Sequence, residues 1–339
     1  MAMSKIVLTA VLAMAIGTGT AGGKTVYVDT KGNDNADGLS RATAFRTINK
    51  SIDASANGDT IEVNEGRYTE KLVFCNDDYR YAGPEMLRYV KSKDPNDFNV
   101  VAATIIDGNG ASIVVRLCML TTTQLNGLTI TGGDIGIRTE QGAIPLIRNC
   151  IIRNNNKAGI MVYQSTTNIT NCIIHDNGVV GILTLSAWCA AKNCLIYDNN
   201  EGIEIGGSMT TGTFLNNTIV NNKSFGIKRI GDPKQIMSIS NCIIWDNNED
   251  LADCNATYSC IKNKSDANGT DNITSDPCFV NPRKKDFHIS PKSPCVNAGD
   301  SNGEYTDQVD IDGEPRVIGG RVDIGADEVN MPASEAGRK

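Results

Sequence analysis

The chain has 339 residues, 40% of them hydrophobic and only 5% aromatic, with a formal net charge of −7. That much apolar matter can bury a long core, while an acidic balance with no dense basic cluster excludes nucleic acid as a partner. Beyond the N-terminus no apolar run is long enough to give a membrane span.

In chain order, residues 1–22 read as a secretory signal peptide: Lys5, an apolar run over residues 6–16, then the small residues Gly19 and Ala21. The expected localisation is secreted and extracellular, with the cell surface as a variant of it. Residues 24–262 read as a repeat region with an N-terminal cap. In the cap, Thr25-Val26-Tyr27-Val28 alternates as a strand, and residues 45–56 form an amphipathic helix with Phe45, Ile48 and Ile52 on one face. Such a helix covers the open end of stacked strands. Residues 75–99 break the rhythm and read as an insertion, either projecting from one face or packed on the flank as a short helix. Residues 263–329 read as a C-terminal cap and 330–339 as a polar tail.

Between these ends one pattern repeats. Asn126, Asn149, Asn171, Asn193, Asn216 and Asn241 lie 23, 22, 22, 23 and 25 positions apart, and four of them precede a Cys (Cys150, Cys172, Cys194, Cys242). Five residues after each Cys, or after Asn217, a second Asn recurs: Asn155, Asn177, Asn199, Asn222 and Asn247. Gly-Ile recurs at Gly136-Ile137, Gly159-Ile160, Gly181-Ile182, Gly202-Ile203 and Gly226-Ile227. Helical repeats are longer, and leucine-rich repeats need a Leu lattice that is missing here. Short β-branched runs punctuated by Asn and Gly suit three short strands and three turns per coil of about 22–25 residues. Asn is expected to accept a left-handed bend and to bond amide to amide up its column. Gly is expected to supply a second bend.

These residues resemble the right-handed parallel β-helix proteins of the pectate-lyase-like superfamily, over about residues 25–328. The fold expected is all-β: a right-handed parallel β-helix solenoid with an N-terminal capping helix. Tyr27-Val28-Asp29, Asp37-Gly38, Phe45-Arg46-Thr47-Ile48 and Gly58-Asp59-Thr60-Ile61 resemble the opening segment of secreted β-helix proteins. The tail, from Asp310-Ile311-Asp312-Gly313 to Ile324-Gly325-Ala326-Asp327-Glu328, resembles the choice-of-anchor Q region of such proteins.

If alternation is strict, the Gly-Ile strands turn Arg138 and Glu140, Met161 and Tyr163, Leu183 and Leu185, Glu204, and Lys228 with Ile230 outward. In the superfamily the substrate lies along such a face. A lyase acting on an acidic sugar needs a cation for the carboxylate and a base for the C5 proton. Arg138, Lys228 and Tyr163 are the catalytic candidates; Glu140, Met161, Glu204 and Arg229 are substrate-binding candidates, and Glu140 and Glu204 also offer oxygens to Ca2+. The Asp-rich cluster of calcium-dependent pectate lyases is missing, as is the Asp pair of β-helix glycosidases. Solvated charges on a parallel sheet are the bland alternative.

A second outward column holds Arg153, His175, Tyr197, Val220 and Trp245. His175, Tyr197 and Trp245 there suit an extended glycan, with His175 as a base, or else simply a β-surface that favours aromatics. Asp29, Asp34 and Asp37 form an acidic cluster that suits Ca2+, as do Asp307, Asp310 and Asp312; neither has the full EF-hand spacing, and turn-forming Asp explains both. Cys150, Cys172, Cys194 and Cys242 share a column and are expected inward as buried thiols. Cys254, Cys260, Cys278 and Cys295 are the disulfide candidates. The function expected is that of a secreted, monomeric, polysaccharide-directed protein, lyase-like or glycan-binding. The alternative is a non-enzymatic extracellular spacer or adhesive solenoid, which would scatter its titratable groups rather than concentrate them.

Overall fold

The computed structural model describes residues 23–75, 87–231, 237–263 and 269–330. The signal peptide expected at 1–22, the middle of the insertion expected at 75–99 and the polar tail after Asn330 lie outside the described residues.

Winding is set at two left-handed corners in each turn. Asn149, Asn171, Asn193, Asn216 and Asn241 all hold φ of 52–53°, a conformation Asn tolerates better than most residues. Five positions on, Asn154, Asp176, Asp198, Asn221 and Asp246 hold φ of 53–56° and turn the chain again. Between the corners lie short strands: Ile151–Arg153, Ile173–His175, Leu195–Tyr197, Thr218–Val220 and Ile243–Trp245. After the second corner come longer ones: Ala158–Tyr163, Val180–Leu185, Glu201–Gly206, Phe225–Arg229 and Glu249–Ala252. A back face of nine parallel strands, from Thr25–Val28 through Thr60–Val63 and Tyr89–Ser92 to Met237–Ser240, closes the turns. The long strand Thr129–Glu140 joins the other two faces, pairing at its start with Ile151–Arg153 and at its end with Ala158–Tyr163. The expected parallel solenoid is what the chain forms. Its core is a stack of fully buried Ile: Ile152, Ile174, Ile196, Ile219 and Ile244 on one side, Ile137, Ile160, Ile182, Ile203 and Ile227 on the other. Each contributes about 1.5–3 kcal/mol of burial.

The Asn columns divide the labour that the sequence assigns to one. The corner Asn takes the bend, with one amide-to-amide bond in its column, Asn149 Nδ2 to Asn126 Oδ1 at 3.1 Å, while Asn155, Asn177, Asn199, Asn222 and Asn247 make the continuous ladder. Each Nδ2 donates to the next Oδ1, at 3.0, 3.0, 3.1 and 2.9 Å. The same Oδ1 accepts the backbone N–H of the preceding rung, as in Asn177 N to Asn199 Oδ1 at 3.0 Å. At the end, where no further coil offers an amide, Asp250 accepts from Asn247 Nδ2 at 3.0 Å. Asn171, by contrast, donates to Val309 O at 3.2 Å and to Asp310 O, outside the ladder. The Gly of Gly-Ile is not a bend either, since Gly159, Gly181, Gly202 and Gly226 are absent from the positive-φ glycines. Proximity demands it: a Cβ on Gly159 would lie 2.7 Å from Gly181 O and 2.9 Å from Asn177 Nδ2.

Cys150, Cys172, Cys194 and Cys242 are buried free thiols, as their column implies. Cys260, Cys278 and Cys295 are free thiols too, and the Cys254 sulfur lies 3.6 Å from Ile227 O, so the expected C-terminal disulfides are not formed. The disulfide present is Cys75–Cys118, across a Cα separation of 4.8 Å. It ties the turn after Leu72–Phe74 to the strand Thr104–Cys118, two strands already paired in register. The coil resumes earlier than residue 99: Tyr89–Ser92 pairs with Thr60–Val63 inside the span assigned to the insertion. The helix runs over Ile48–Ala54, with Thr47 capping it and Phe45 outside it, and Ile48 enters the core.

The start of the C-terminal region continues onto the last coil, where Ile273 bridges Cys260 in parallel and Asn272 Nδ2 donates to Ala256 O at 2.8 Å, and the rest of it lies along the flank. Asn193 Nδ2 donates to Val309 O at 2.9 Å, Asn241 Nδ2 to Tyr305 Oη at 2.7 Å, and Ala326 N to Thr218 Oγ1 at 2.9 Å. This segment therefore braces successive coils at Asn171, Asn193, Thr218 and Asn241. No helix among the described residues is long and apolar enough to cross a membrane.

Replacing Asn199 by Ala should remove a central rung, leaving the Asn177 N–H and Nδ2 without their shared acceptor and taking one donor from Asn222 Oδ1, a loss of about 2–4 kcal/mol. Asn156→Ala, at an exposed position beside the same column, should stay within about 0.5 kcal/mol. Urea unfolding of the two variants beside the parent measures the difference.

Candidate functional site

The outward residues of the long strands stand in register, so positions more than twenty apart in sequence become lateral neighbours. One row reads Arg116, Arg138, Met161, Leu183, Glu204, Lys228. A second reads Glu140, Tyr163, Leu185. A third carries Val180, Glu201 and Phe225. Met161, Leu183 and Leu185 form a half-buried apolar floor, with a charged cluster at each end.

At one end Glu201, Glu204 and Lys228 meet. Glu201 is buried, and Lys228 Nζ lies 3.5 Å from its Oε1 and 4.4 Å over the Phe225 ring. The Glu204 carboxyl is pushed up to about 7, first by burial, then by its hydrogen bond to Glu201 and the charge there; Lys228 opposes the rise. A carboxyl raised in this way by burial and a neighbouring carboxylate can hold or accept a proton near neutral pH.

At the other end Glu140 is buried between two arginines, 2.5 Å from Arg116 Nη2 and 2.8 Å from Arg138 Nη2. Both its oxygens are thus engaged by guanidinium groups, and the cluster is left with a surplus positive charge. Arg138 also lies over the Tyr163 ring at 5.8 Å. Three strand steps separate Arg138 from Glu204, about 14 Å at the usual spacing. The structure therefore brings together Arg138, Glu140 and Tyr163 at one end and Glu204 with Lys228 at the other, with Met161 between. Arg229 does not join them: it is in register with the buried Ile205, in the column opposite in parity to Lys228.

The second column is in register as well, but its middle is covered. His175 stacks on Tyr197 at 4.8 Å with 2° between the planes, and Tyr197 meets Phe287 at 5.3 Å. Burial lowers the His175 pKa despite Asp176 at 2.7 Å, and burial pushes the Tyr197 hydroxyl up to about 12. Lys285 reaches Asp198 at 2.6 Å, and Trp245 packs on the cluster of Ile243, Ile289 and Cys295. An extended glycan along His175, Tyr197 and Trp245 would have to displace this C-terminal cover.

The N-terminal acidic cluster serves its own loop. Asp29 accepts from Lys31 N and Asn64 Nδ2, Asp34 from Arg46 N and Thr47 N, and Asp37 from Leu39 N. At Asp29 the Lys31 N–H, at Asp37 first the Thr43 side chain and then Leu39 N, and at Asp34, against the opposing effect of burial, the Thr47 and Arg46 bonds together hold the carboxyls below the ordinary range. The three are not a converging ligand group.

Two site residues escape the sequence reading. Glu201 stands where the other coils put Ala158, Val180 and Phe225, so a carboxylate in an apolar column was its signal. Arg116 lies one coil before the first Gly-Ile, where the marker is absent.

Comparison with known proteins places this architecture. Residues 90–279, which are 190 of the 339, match the family described as right handed beta helix region. The crystal structure of pectate lyase Pel9A aligns over 91% of this chain and 96% of that one, with a TM-score of 0.55 and 14% identity. A pectin methylesterase from Aspergillus niger aligns over 75% and 92%, with a TM-score of 0.45 and 14% identity. A rhamnogalacturonan lyase aligns over 76% and 91%, with a TM-score of 0.35 and 14% identity. At such identity the likeness is one of fold. No curated protein matches the chain in sequence. With more than half its length matched, the chain belongs to the right-handed β-helix family.

Proposed function

We propose that the protein is a secreted enzyme that cleaves an acidic polysaccharide by β-elimination on its long-strand face. The observation that carries this reading is the meeting of Glu201, Glu204 and Lys228 at one end of an apolar floor. Lys228 is the cation that a uronate carboxylate requires, and neutralising that carboxylate acidifies the C5 proton. Glu204, whose affinity for a proton sits near neutrality, is the base that takes it. The C5 electrons then form the C4–C5 double bond as the C4–O bond breaks, and the leaving oxygen takes a proton from solvent to become a hydroxyl. Hydrolysis suits the pair less well, because a hydrolase keeps its carboxyls roughly 5 Å or more apart with the bond between them, whereas the Glu201 carboxyl is close enough to Glu204 to raise its proton affinity. Arg138 and Tyr163, about three strand steps away, supply charge and a ring face to a more distant sugar. Met161, Leu183 and Leu185 give the apolar surface between. The fold shared with pectate lyase Pel9A is consistent with such a substrate.

Purified protein presented with acidic and neutral polysaccharides, with unsaturated products and reducing ends followed separately, tests the proposal. Turnover of a uronate polymer to unsaturated products is expected, falling at least about 100-fold in Glu204→Gln and Lys228→Ala. Tyr163→Ala should raise KM at nearly constant kcat, and Trp245→Ala should alter neither. Reducing ends without unsaturation, or binding without turnover, would replace elimination with hydrolysis or with a purely adhesive role.

The carboxyl pair also leaves a trace in stability. Glu204 holds its proton to about pH 7 in the fold, whereas the unfolded chain releases it at the ordinary Glu value of 4.5. Between those values the folded state binds more protons, so stability falls as pH rises and the penalty is complete above pH 7. Glu204→Gln should therefore match the parent at low pH and melt above it from neutral pH upward. Thermal melts of both proteins across the pH range give the difference directly.

A further inference from the structure

The cluster of His288, Asp312 and Asp327 has no part in the reading above. These residues come from three separate stretches: the strand Asp286–Ile289, the turn after Asp310, and the end of the C-terminal segment. Yet one ligand atom from each lies within 4.8 Å of the others, the one group of three such donors among the described residues. His288 Nε2 lies 2.9 Å from Asp312 Oδ2, and His288 Nδ1 lies 2.5 Å from Asp286 Oδ1. Asp327 is about nine-tenths buried, and its Oδ2 accepts the Ile289 N–H at 2.8 Å. Its other oxygen takes no hydrogen bond from the described residues and belongs to a side chain facing the imidazole.

We propose that His288, Asp312 and Asp327 bind a divalent transition cation of the zinc class, with Asp286 orienting the imidazole from behind. The donor set argues for that class. An imidazole nitrogen with two carboxylates suits Zn2+, Co2+ or Mn2+, whereas Ca2+ takes oxygens and wants six or more. Bonds of about 2.0–2.2 Å to the three donors need a modest widening of the Nε2 to Oδ2 pair and a closing of the group, whose ligand atoms lie within 4.8 Å of one another. The ion takes the place of the Nε2 proton, which leaves to solvent, and Nδ1–H goes on donating to Asp286, the carboxylate–histidine–metal arrangement of many metal sites. His288 and Asp312 are exposed, so solvent has access to the remaining coordination position. The acidic run Asp307, Asp310, Asp312 thereby splits in function. Asp310 is fully buried and accepts Asp312 N and Glu314 N, which leaves Asp312 to the ion. Such an ion clips the hairpin of Phe279–Asn281 and Asp286–Ile289 to the segment that braces the coils.

The full chain, stripped with chelator, is titrated with Co2+ and with Zn2+ by calorimetry and visible spectroscopy. One ion per chain is expected, with d–d bands of a nitrogen–oxygen site and no thiolate charge-transfer band. Asp286→Asn should weaken binding about 10–100-fold. His288→Ala and the surface change Asp312→Asn should each abolish it, while Asp307→Asn should bind like the parent. Circular dichroism confirms folding of each variant, and the parent titration stands whatever the variants do. The proposal is overturned if the parent binds no stoichiometric transition ion, binds Ca2+ alone, shows thiolate bands, or binds equally well without His288 and Asp312. In each of those cases His288 is an imidazolium held by its carboxylates and nothing more.

Discussion

Everything in this molecule depends on the distance at which one coil can lie on the next. The Asn ladder sets it from inside, because each amide must reach the rung above with about 3 Å between heavy atoms. The Gly of Gly-Ile permits it, because any Cβ there would collide with the neighbouring backbone and with the ladder amide. The two requirements share the same atoms: Asn177 Nδ2 is both a rung and the group that excludes a side chain at Gly159. The Ile stacks then add burial to a register that polar geometry has already selected.

Register is what turns a repeat into a site. Glu204 and Lys228 are 24 residues apart, yet they are cross-strand partners because Ile203 and Ile227 pair beside them. A one-residue slip would send both into the core, at a cost no glycan contact offsets. The apolar floor follows from the same rule, with Met161 and Leu183 occupying the position that Arg138 and Glu204 hold on either side. The chemistry is thus written by substitution within columns, over a scaffold that does not change from coil to coil.

Much of this was legible in the residues. The period, the inward Ile and Cys columns and the outward set Arg138, Glu140, Tyr163, Glu204 and Lys228 all follow from alternation and spacing, which are local rules. Less legible was why a given residue recurs. Asn at a corner and Asn in the ladder look alike in sequence, and only φ and hydrogen-bond partners separate Asn171 from Asn177. Gly read as a bend because its freedom is its best-known property, whereas here its small size matters. What could not be read at all was long-range. That Phe287 would lie on Tyr197, or that Val309 would bond Asn171 and Asn193, depends on where a non-repeating segment travels, and no periodicity encodes that path.

That segment changes how the solenoid can come apart. A stack of coils is held by contacts between nearest neighbours, so it can fray from either end one unit at a time. The segment from Tyr305 to Ala326 bonds Asn171, Asn193, Thr218 and Asn241, and so touches four coils that do not all touch one another. Loosening any one of them strains the grip on the others, which lends these coils a shared unfolding event in place of serial fraying. It also orders the assembly in time. The braced coils emerge before residues 305–326 during synthesis and rest on ladder and core alone until those residues arrive, so a later stretch of the chain locks coils made ahead of it.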